Sequence, residues 1–421
     1  MKKIKLRSKE WFDNPDDPGL TALYLERYLN YGLKREDLQS GKPIIGIAQS
    51  GSDLSPCNRH FQELSKTIKD GIREAGGVPM EFPTHPIQET GKRPTAALDR
   101  NLSYLSLVEV LYGYPIDGVI LTTGCDKTTP AALMAASTVN IPSIVLSGGP
   151  MLDGNYKGKK AGSGTIIWEA RKLHAKGEIN YDEFMDMAAA SAPSIGHCNT
   201  MGTASSMNSI AEALGMSLPG GAIIPAPYKE RTDISFKTGK RIVEMVFENL
   251  TPLKIMTKEA FENAVYVASA IGASSNCPPH LTAIARHMGI DFNLDQWEKL
   301  GHRIPLLANC QPAGEHLMEG FFKAGGIPAI MKELIKNKKL NIKALTVTGK
   351  TIEENLNMKI DVNRDVIKSY ENPLSHNAGF IVMKSNFFSS AVMKTSVISS
   401  EFRERYLSNK DSLNIFEVKA V

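Results

Sequence analysis

The sequence lacks any long apolar run. No stretch of about 18 consecutive apolar residues occurs in its 421 residues, so we expect no membrane-spanning helix. The basic start, Met1-Lys-Lys-Ile-Lys-Leu-Arg, leads directly into Trp11-Phe-Asp-Asn-Pro-Asp-Asp-Pro, without the apolar core of a secretory signal. We therefore expect a cytoplasmic protein.

Cysteine is scarce, and neither sign of charge dominates. Five cysteines cannot all pair, and in a reducing compartment they are expected to serve as thiols, ligands or nucleophiles rather than as disulfides. The net charge is only +4, and the densest basic stretch, 332–343, has apolar residues at near-helical spacing. That spacing is typical of a solvated helix face, so we do not expect nucleic acid as a partner.

What the sequence does contain is an alternation of apolar runs and amphipathic segments in its first half. Because it is long and 42% hydrophobic, the chain can form two or three domains. A β-α-β-α order predicts an α/β fold with a parallel sheet covered by helices. We expect strands at 43–48, 77–82, 117–121 and 141–146, with helices at 60–75, 98–111 and 130–137.

The pattern changes twice further along the chain. Beyond Ser191 it is mostly helical, with later strands expected at 304–308 and 344–348. From about Val366 it consists of closely spaced strand-like runs at 380–383, 391–397 and 415–421. These runs predict an α/β region over 1–365 and a partial, all-β, barrel-type domain over 366–421. The last run has no turn after it, so we expect this β domain to be incomplete.

Three cysteines lie where ligands are expected. Cys57 and Cys125 follow predicted strands, and parallel sheets bind ligands outside the carboxyl ends of their strands. Cys198 lies in a polar loop before a helix, where backbone N–H groups favour a thiolate. The spacings match no local zinc or ferredoxin motif, so three unrelated thiols remain an alternative. Cys277 and Cys310 are interpreted as buried core thiols.

Chemistry gives these three cysteines a reason to act together. Three thiolates leave one iron of an iron–sulfur cluster open to bind oxygen as a Lewis acid. Carboxylates nearby indicate a second, harder ion, because Asp126 adjoins Cys125 and Glu89 lies in another loop, and carboxylate oxygens suit Mg²⁺. Taken alone, such a pair of carboxylates is more often two surface charges than two metal ligands.

Four motifs identify a resemblance. They are Ser55-Pro-Cys-Asn-Arg-His, Arg93-Pro-Thr-Ala, Gly124-Cys-Asp-Lys-Thr-Thr-Pro-Ala and Gly196-His-Cys-Asn-Thr-Met-Gly-Thr-Ala. The chain resembles, from about Leu6 to its last residue, the dehydratases of dihydroxy acids and sugar acids. That family includes dihydroxy-acid dehydratase of branched-chain amino-acid synthesis, 6-phosphogluconate dehydratase and the pentonate (arabinonate and xylonate) dehydratases.

The resemblance implies a ligand set and a reaction. Cys57, Cys125 and Cys198 would hold a [2Fe–2S] cluster, and Mg²⁺ would bind Glu89, Asp126 and Lys127 as a carbamate. An ordinary salt-bridging role is the alternative for Lys127. The implied reaction turns a 2,3-dihydroxy acid into a 2-keto-3-deoxy acid, in a homo-oligomer (dimer or tetramer). The family's base, a serine, would lie beyond Val421, so the catalytic base is not assigned.

Several alternatives remain at this point. The stretches 88–95 and 111–115, and a Glu at position 89, are typical of the sugar-acid branch, so a pentonate is favoured over the substrate of dihydroxy-acid dehydratase. The family's Gly-Gly-Ser-Thr-Asn-Ala is replaced by Gly272-Ala-Ser-Ser-Asn-Cys. A truncated, catalytically inactive remnant that keeps the fold or subunit contacts is therefore a second hypothesis. Gly349-Lys-Thr resembles the end of a P-loop, but Ala344 occupies the position that needs glycine.

Overall fold

A four-stranded parallel sheet organises the first half of the molecule. The computed structural model describes residues 5–92, 94–399 and 401. The strands lie in the order β2-β1-β3-β4. Strands β1, β3 and β4 are buried along their whole length, which explains why each is a nearly continuous apolar run. The strands are β1 (Ile44–Gln49), β2 (Val78–Pro83), β3 (Gly118–Thr123) and β4 (Ser143–Ser147).

Helices connect and flank these strands, as the alternating pattern predicts. In chain order they are α1 (Lys9–Phe12), α2 (Pro18–Leu29), α3 (Arg35–Gln39), α4 (Phe61–Glu74), α5 (Ala97–Gly113), α6 (Thr128–Val139), α7 (Thr165–Ala175), α8 (Tyr181–Ala189) and α9 (Thr203–Ala213). The later ones are α10 (Lys229–Glu248), α11 (Pro252–Ile255), α12 (Lys258–Ala270), α13 (Cys277–His287), α14 (Leu294–Gly301), α15 (Met318–Lys323), α16 (Gly326–Lys336) and α17 (Ile352–Asn355). The predicted parallel sheet flanked by helices is thus confirmed.

Two helices approach each other unusually closely beside the sheet. A Cβ atom on Gly71 of α4 would lie 2.2 Å from the backbone oxygen of Phe236 in α10. Likewise, a Cβ atom on Gly239 of α10 would lie 2.4 Å from the backbone oxygen of Ile68. Only glycine permits this separation, and it brings α10 against β3 and β4.

The later predicted strands need correction. Residues 304–308 and 344–348 form no strand; they make only isolated bridges, which pair Leu306 with Ser375, Ala308 with Ile367 and Leu345 with Thr351. These runs are apolar because they are buried among helices. The backbone N–H of Leu307, for example, donates to the carbonyl of Ala270 at the end of α12. Short antiparallel strands β5 (Gly154–Tyr156) and β6 (Lys159–Ala161), which the pattern did not indicate, form a separate hairpin.

Up to residue 399, the described C-terminal part contains one antiparallel hairpin, of β7 (Phe380–Met383) and β8 (Ala391–Lys394). Phe380 belongs to the main hydrophobic core and contacts Trp297 of α14 edge-to-face, with ring centroids 5.2 Å apart. The predicted strand at 415–421 lies outside the described residues, so an all-β domain over 366–421 remains a prediction. Among the described residues, no helix has the length and apolar character needed to cross a membrane.

Candidate active site

The loops after β1 and β3 meet at the carboxyl edge of the sheet, where Asn58 joins them. Its side chain is fully buried; the Oδ1 atom accepts a hydrogen bond from the backbone N–H of Cys125 at 3.0 Å, and Nδ2 donates to Ser50 Oγ at 3.0 Å. A Cβ atom on Gly124 would lie 2.3 Å from Asn58 Oδ1, so only glycine fits there. This contact places Cys57 and Cys125 side by side.

The thiols of Cys57 and Cys125 are hydrogen-bonded to each other. The bond raises the pKa of Cys57, an effect that burial and the neighbouring cysteines reinforce. The same bond lowers the pKa of Cys125, and the backbone N–H groups of Glu89 and Asp126 stabilise its thiolate further. Of the two thiols, Cys125 is therefore the one more easily deprotonated.

The third cysteine reaches the same site from the loop before α9. Burial raises the pKa of Cys198 to about 12, and the charges of Asp126 and Cys125 add to this effect. Thus the structure brings the three sequence-predicted cysteines together from three separate loops. His197 is fully buried and its Nδ1 lies 3.0 Å from the backbone oxygen of Cys198, whereas His60 Nε2 lies 2.9 Å from the oxygen of Gly148.

Gln88 is a site residue that motif reasoning missed. Its Nε2 atom donates to Cys57 Sγ at 3.4 Å, and its Oε1 atom lies 4.0 Å from Cys125 Sγ. One amide therefore contacts two of the three thiols with a donor on one side and an acceptor on the other. Its only sequence signal was its position directly before Glu89, because a glutamine by itself carries no recognisable chemistry.

The predicted metal-binding carboxylates also reach this site. Glu89 Oε2 lies 3.0 Å from Lys127 Nζ, and the Lys127 side chain is only 5% exposed. Burial raises the pKa of Asp126, and the charge of Glu89 raises it as well. The ammonium of Lys127 and the backbone N–H of Ala204 lower it. Glu89, Asp126 and Lys127 are thus brought together, directly beside Cys125.

Contacts to α5 fix the loop that carries Gln88 and Glu89. Asp99 lies 3.0 Å from His85 and 3.2 Å from Lys92, so it holds both ends of the loop. Glu89 itself accepts hydrogen bonds from Thr95 Oγ1 at 2.8 Å and from the backbone N–H of Ala96 at 3.3 Å. These bonds orient the Glu89 carboxylate towards Lys127.

The donor set suits an iron–sulfur cluster beside a hard cation. Three convergent thiols, of which Cys125 has a lowered pKa, are the ligands that such a cluster takes. Two carboxylates and a buried lysine that can become an anionic carbamate are ligands for Mg²⁺. Within the described ranges, no three His, Cys, Asp or Glu side chains are arranged as ligands of a single ion.

The two remaining cysteines belong to the hydrophobic core. Cys277 and Cys310 are both buried in the main hydrophobic core, with 0% and 1% exposure. Burial raises the pKa of both, to about 12 for Cys277. This agrees with their interpretation as core thiols.

Comparison with known proteins decides the family. The profile of the dihydroxy-acid/6-phosphogluconate dehydratase N-terminal region matches residues 42–355. The chain belongs to this dehydratase family. It is 58% identical to a D-xylonate dehydratase of Caulobacter vibrioides over 417 residues, which cover 99% of this chain and 70% of that protein.

More distant relatives show the breadth of the family. The chain is 44% identical to an L-arabinonate dehydratase of Rhizobium leguminosarum, over 94% of its own length and 68% of the relative's. It is 39% identical to a dihydroxy-acid dehydratase of Caldanaerobacter subterraneus, over 89% of its own length and 68% of the relative's. The family resemblance predicted from the four motifs is therefore confirmed, and the protein is a dehydratase by family.

In this dehydratase a polar corner adjoins the candidate metal ligands. Thr203 Oγ1 lies 2.8 Å from Ser274 Oγ and accepts a hydrogen bond from Asn276 Nδ2 at 2.9 Å. Ala204 directly follows Thr203, and its backbone N–H donates a hydrogen bond to Asp126, a predicted metal ligand. The polar corner is therefore one residue along the chain from a direct contact with Asp126. Motif reasoning had treated residues 272–277 only as a departure from the family pattern.

Lys394 of β8 is a second residue that the sequence did not indicate. Burial lowers its pKa to about 8, and it interacts electrostatically with Cys277, the first residue of α13. Cys277 in turn experiences the charge of Asp126. The C-terminal hairpin therefore places a buried lysine near the first residue of α13.

Proposed function

We propose that this dehydratase converts a sugar acid of the pentonate type into a 2-keto-3-deoxy acid. The observation that carries the proposal is the meeting of Cys57, Cys125 and Cys198 with the Glu89–Asp126–Lys127 group at one edge of the sheet. The 58% identity to a relative named for D-xylonate supports the substrate class. The relative named for dihydroxy acids is less similar, at 39%.

The chain's own residues suit two ligand groups. Cys57, Cys125 and Cys198 would hold a [2Fe–2S] cluster; Glu89, Asp126 and Lys127 as a carbamate would hold Mg²⁺. When bound, these groups supply Lewis acidity for the departing hydroxyl and for the negative charge that develops at the substrate's carboxylate end. The alternative role for Lys127 is an ordinary ion pair with Glu89. The unmodified lysine makes this ion pair in the structure.

The proposed reaction is balanced without a further reactant. The proton on C2 leaves, the C2–C3 double bond forms, and the C3 hydroxyl departs and takes up a proton to become water. The enol at C2 then becomes a ketone by moving its hydroxyl proton to C3. Asp126 is partly buried, and charge stabilisation at the developing enolate is stronger in such a setting than in bulk water.

The polar corner favours a sugar acid over a branched-chain substrate. Thr203, Ser274 and Asn276 present two hydroxyl groups and an amide beside Asp126. A pentonate has further hydroxyl groups at C4 and C5 that can form hydrogen bonds with these groups, whereas the isopropyl group of 2,3-dihydroxyisovalerate can form none.

The test is a keto-acid assay on anaerobically purified protein. We expect D-xylonate or L-arabinonate to give the larger kcat/KM and 2,3-dihydroxyisovalerate to be turned over poorly. Asp126→Asn should abolish the activity, which excludes a contaminating enzyme. A clearly larger kcat/KM for dihydroxyisovalerate would reject the pentonate assignment.

A further inference from the structure

His280, in the first turn of α13, has a fixed pattern of ring protonation. Its side chain is 5% exposed, and its Nδ1 atom lies 3.0 Å from Arg100 Nη1. A guanidinium group only donates hydrogen bonds, so Nδ1 must be the accepting, unprotonated nitrogen. In the neutral ring the proton therefore resides on Nε2.

The ring is neutral at any pH at which the protein is expected to work. Burial lowers the pKa of His280 to about 3, and the positive charges of Arg100 and Lys127 contribute to this shift. The Nε2 atom is inaccessible to solvent and has no hydrogen-bond partner among the described residues. A buried N–H group without an acceptor is uncommon in folded proteins, so the acceptor must be something other than the described side chains and backbone.

The His280 ring lies near enough to the Glu89–Lys127 pair to feel the charge of Lys127. Helix α13 packs against α6, which begins directly after Lys127, and the Lys127 charge acts on the His280 ring. Arg100 is one helical turn after Ala96, whose backbone N–H donates to Glu89. Arg100 and His280 therefore extend the network that surrounds Lys127, although neither is a ligand in the family resemblance.

We propose that His280 Nε2–H binds an anionic, carboxylate-type oxygen beside Lys127, and that Arg100 is a positioning residue that fixes the required tautomer. The acceptor has two possible sources. One is the carboxylate of the sugar acid, which rests on the proposed function. The other is a carbamate, formed when the neutral amine of Lys127 adds to CO₂, a nitrogen–carbon bond forms and one proton passes to solvent.

The test begins with the unmodified full chain, labelled with ¹⁵N at histidine. We expect the Nε2–H resonance of His280 to shift on addition of D-xylonate or of ¹³C-bicarbonate. The variant His280→Phe should then either weaken D-xylonate binding by about tenfold or more, or remove the ¹³C carbamate signal. The first result identifies the substrate as the acceptor, and the second identifies the carbamate.

The matched control is His287→Gln, on the same helix, whose Nδ1 contacts Thr138 Oγ1 instead. His287→Gln should leave both readouts unchanged. Arg100→Gln should reproduce part of the effect of His280→Phe, because without Arg100 the His280 ring is free to change tautomer. An Nε2–H resonance that neither probe moves, together with unchanged binding and carbamate in His280→Phe, would overturn the proposal. A ligand-dependent shift without keto-acid formation would instead count against the proposed dehydration alone.

Discussion

Replacing Asn58 by alanine should uncouple the loops that carry Cys57 and Cys125. The Asn58 side chain is fully buried and is bonded to both the Cys125 backbone and Ser50. Alanine can make neither bond. The backbone N–H of Cys125 then loses its acceptor.

The magnitude follows from these contacts. A buried donor left unsatisfied costs about 1 to 3 kcal/mol, and the lost bond to Ser50 adds about 1 kcal/mol. We therefore expect the free energy of unfolding to fall by about 2 to 4 kcal/mol. Domains are commonly stable by about 5 to 15 kcal/mol, so the variant should still fold.

Urea denaturation measures this loss, and the visible absorption of anaerobically purified protein measures cluster retention. Asn58→Ala should lower the urea midpoint at unchanged slope and reduce the absorption per chain, because one side of the thiol pair is no longer fixed. The control is Asn357→Ala, at an exposed asparagine far from the sheet edge. An Asn58→Ala protein within about 0.5 kcal/mol of the original, with full cluster absorption, would refute the reasoning.

Three further predictions concern the ligands, the pH dependence and the fold. Alanine at Cys57, Cys125 or Cys198 should each remove the cluster absorption, whereas Cys277→Ala and Cys310→Ala should retain it; the reverse result would reject the assignment. Burial raises the pKa of Glu212 to about 7 from 4.5, so its contribution to stability is complete below pH 4.5 and is lost as the pH rises through about 7. Urea denaturation at pH 5 and pH 8 should therefore show a decline that Glu212→Gln lacks, and an equal decline in both proteins would contradict this. Gly71→Ala should lower the free energy of unfolding by about 2 to 4 kcal/mol, because its Cβ would lie 2.2 Å from the Phe236 oxygen; Gly113→Ala, with no atom within 4 Å, should be nearly neutral.

The sheet could be predicted from the sequence because its strands have a strong local signal. Strand β3, predicted at 117–121, spans Gly118–Thr123, and β4, predicted at 141–146, spans Ser143–Ser147. Both are apolar runs bounded by turn residues and buried on both faces. The same signal failed at 304–308, where Leu307 is equally apolar and buried but bonds to the end of a helix. A short apolar run predicts burial, but it does not specify whether neighbouring strands or neighbouring helices will bury it.

The site was predictable only where a residue type implies chemistry. Cysteines and acidic residues in recognisable motifs indicated Cys57, Cys125, Cys198, Glu89 and Asp126, which the structure brings together. Gln88 and Asn58 were missed because an amide has no function until its neighbours are known. Their roles depend on a 3.4 Å contact to one thiol and a 3.0 Å contact to one backbone N–H. No spacing rule in the sequence encodes contacts between loops that follow different strands.

Two buried asparagines fix the backbone of the loop that carries Cys125. Asn58 binds the N–H of Cys125 from one side, and Asn208 of α9 donates to the carbonyl of Gly124 at 3.2 Å from the other. Asn208 Oδ1 also accepts from Thr123 and Thr129, which lie before and after this loop. Cys57 and Cys198 are more exposed than Cys125. Because the peptide between Gly124 and Cys125 is held on both faces, we expect the other two thiols to adjust to Cys125 when a cluster binds.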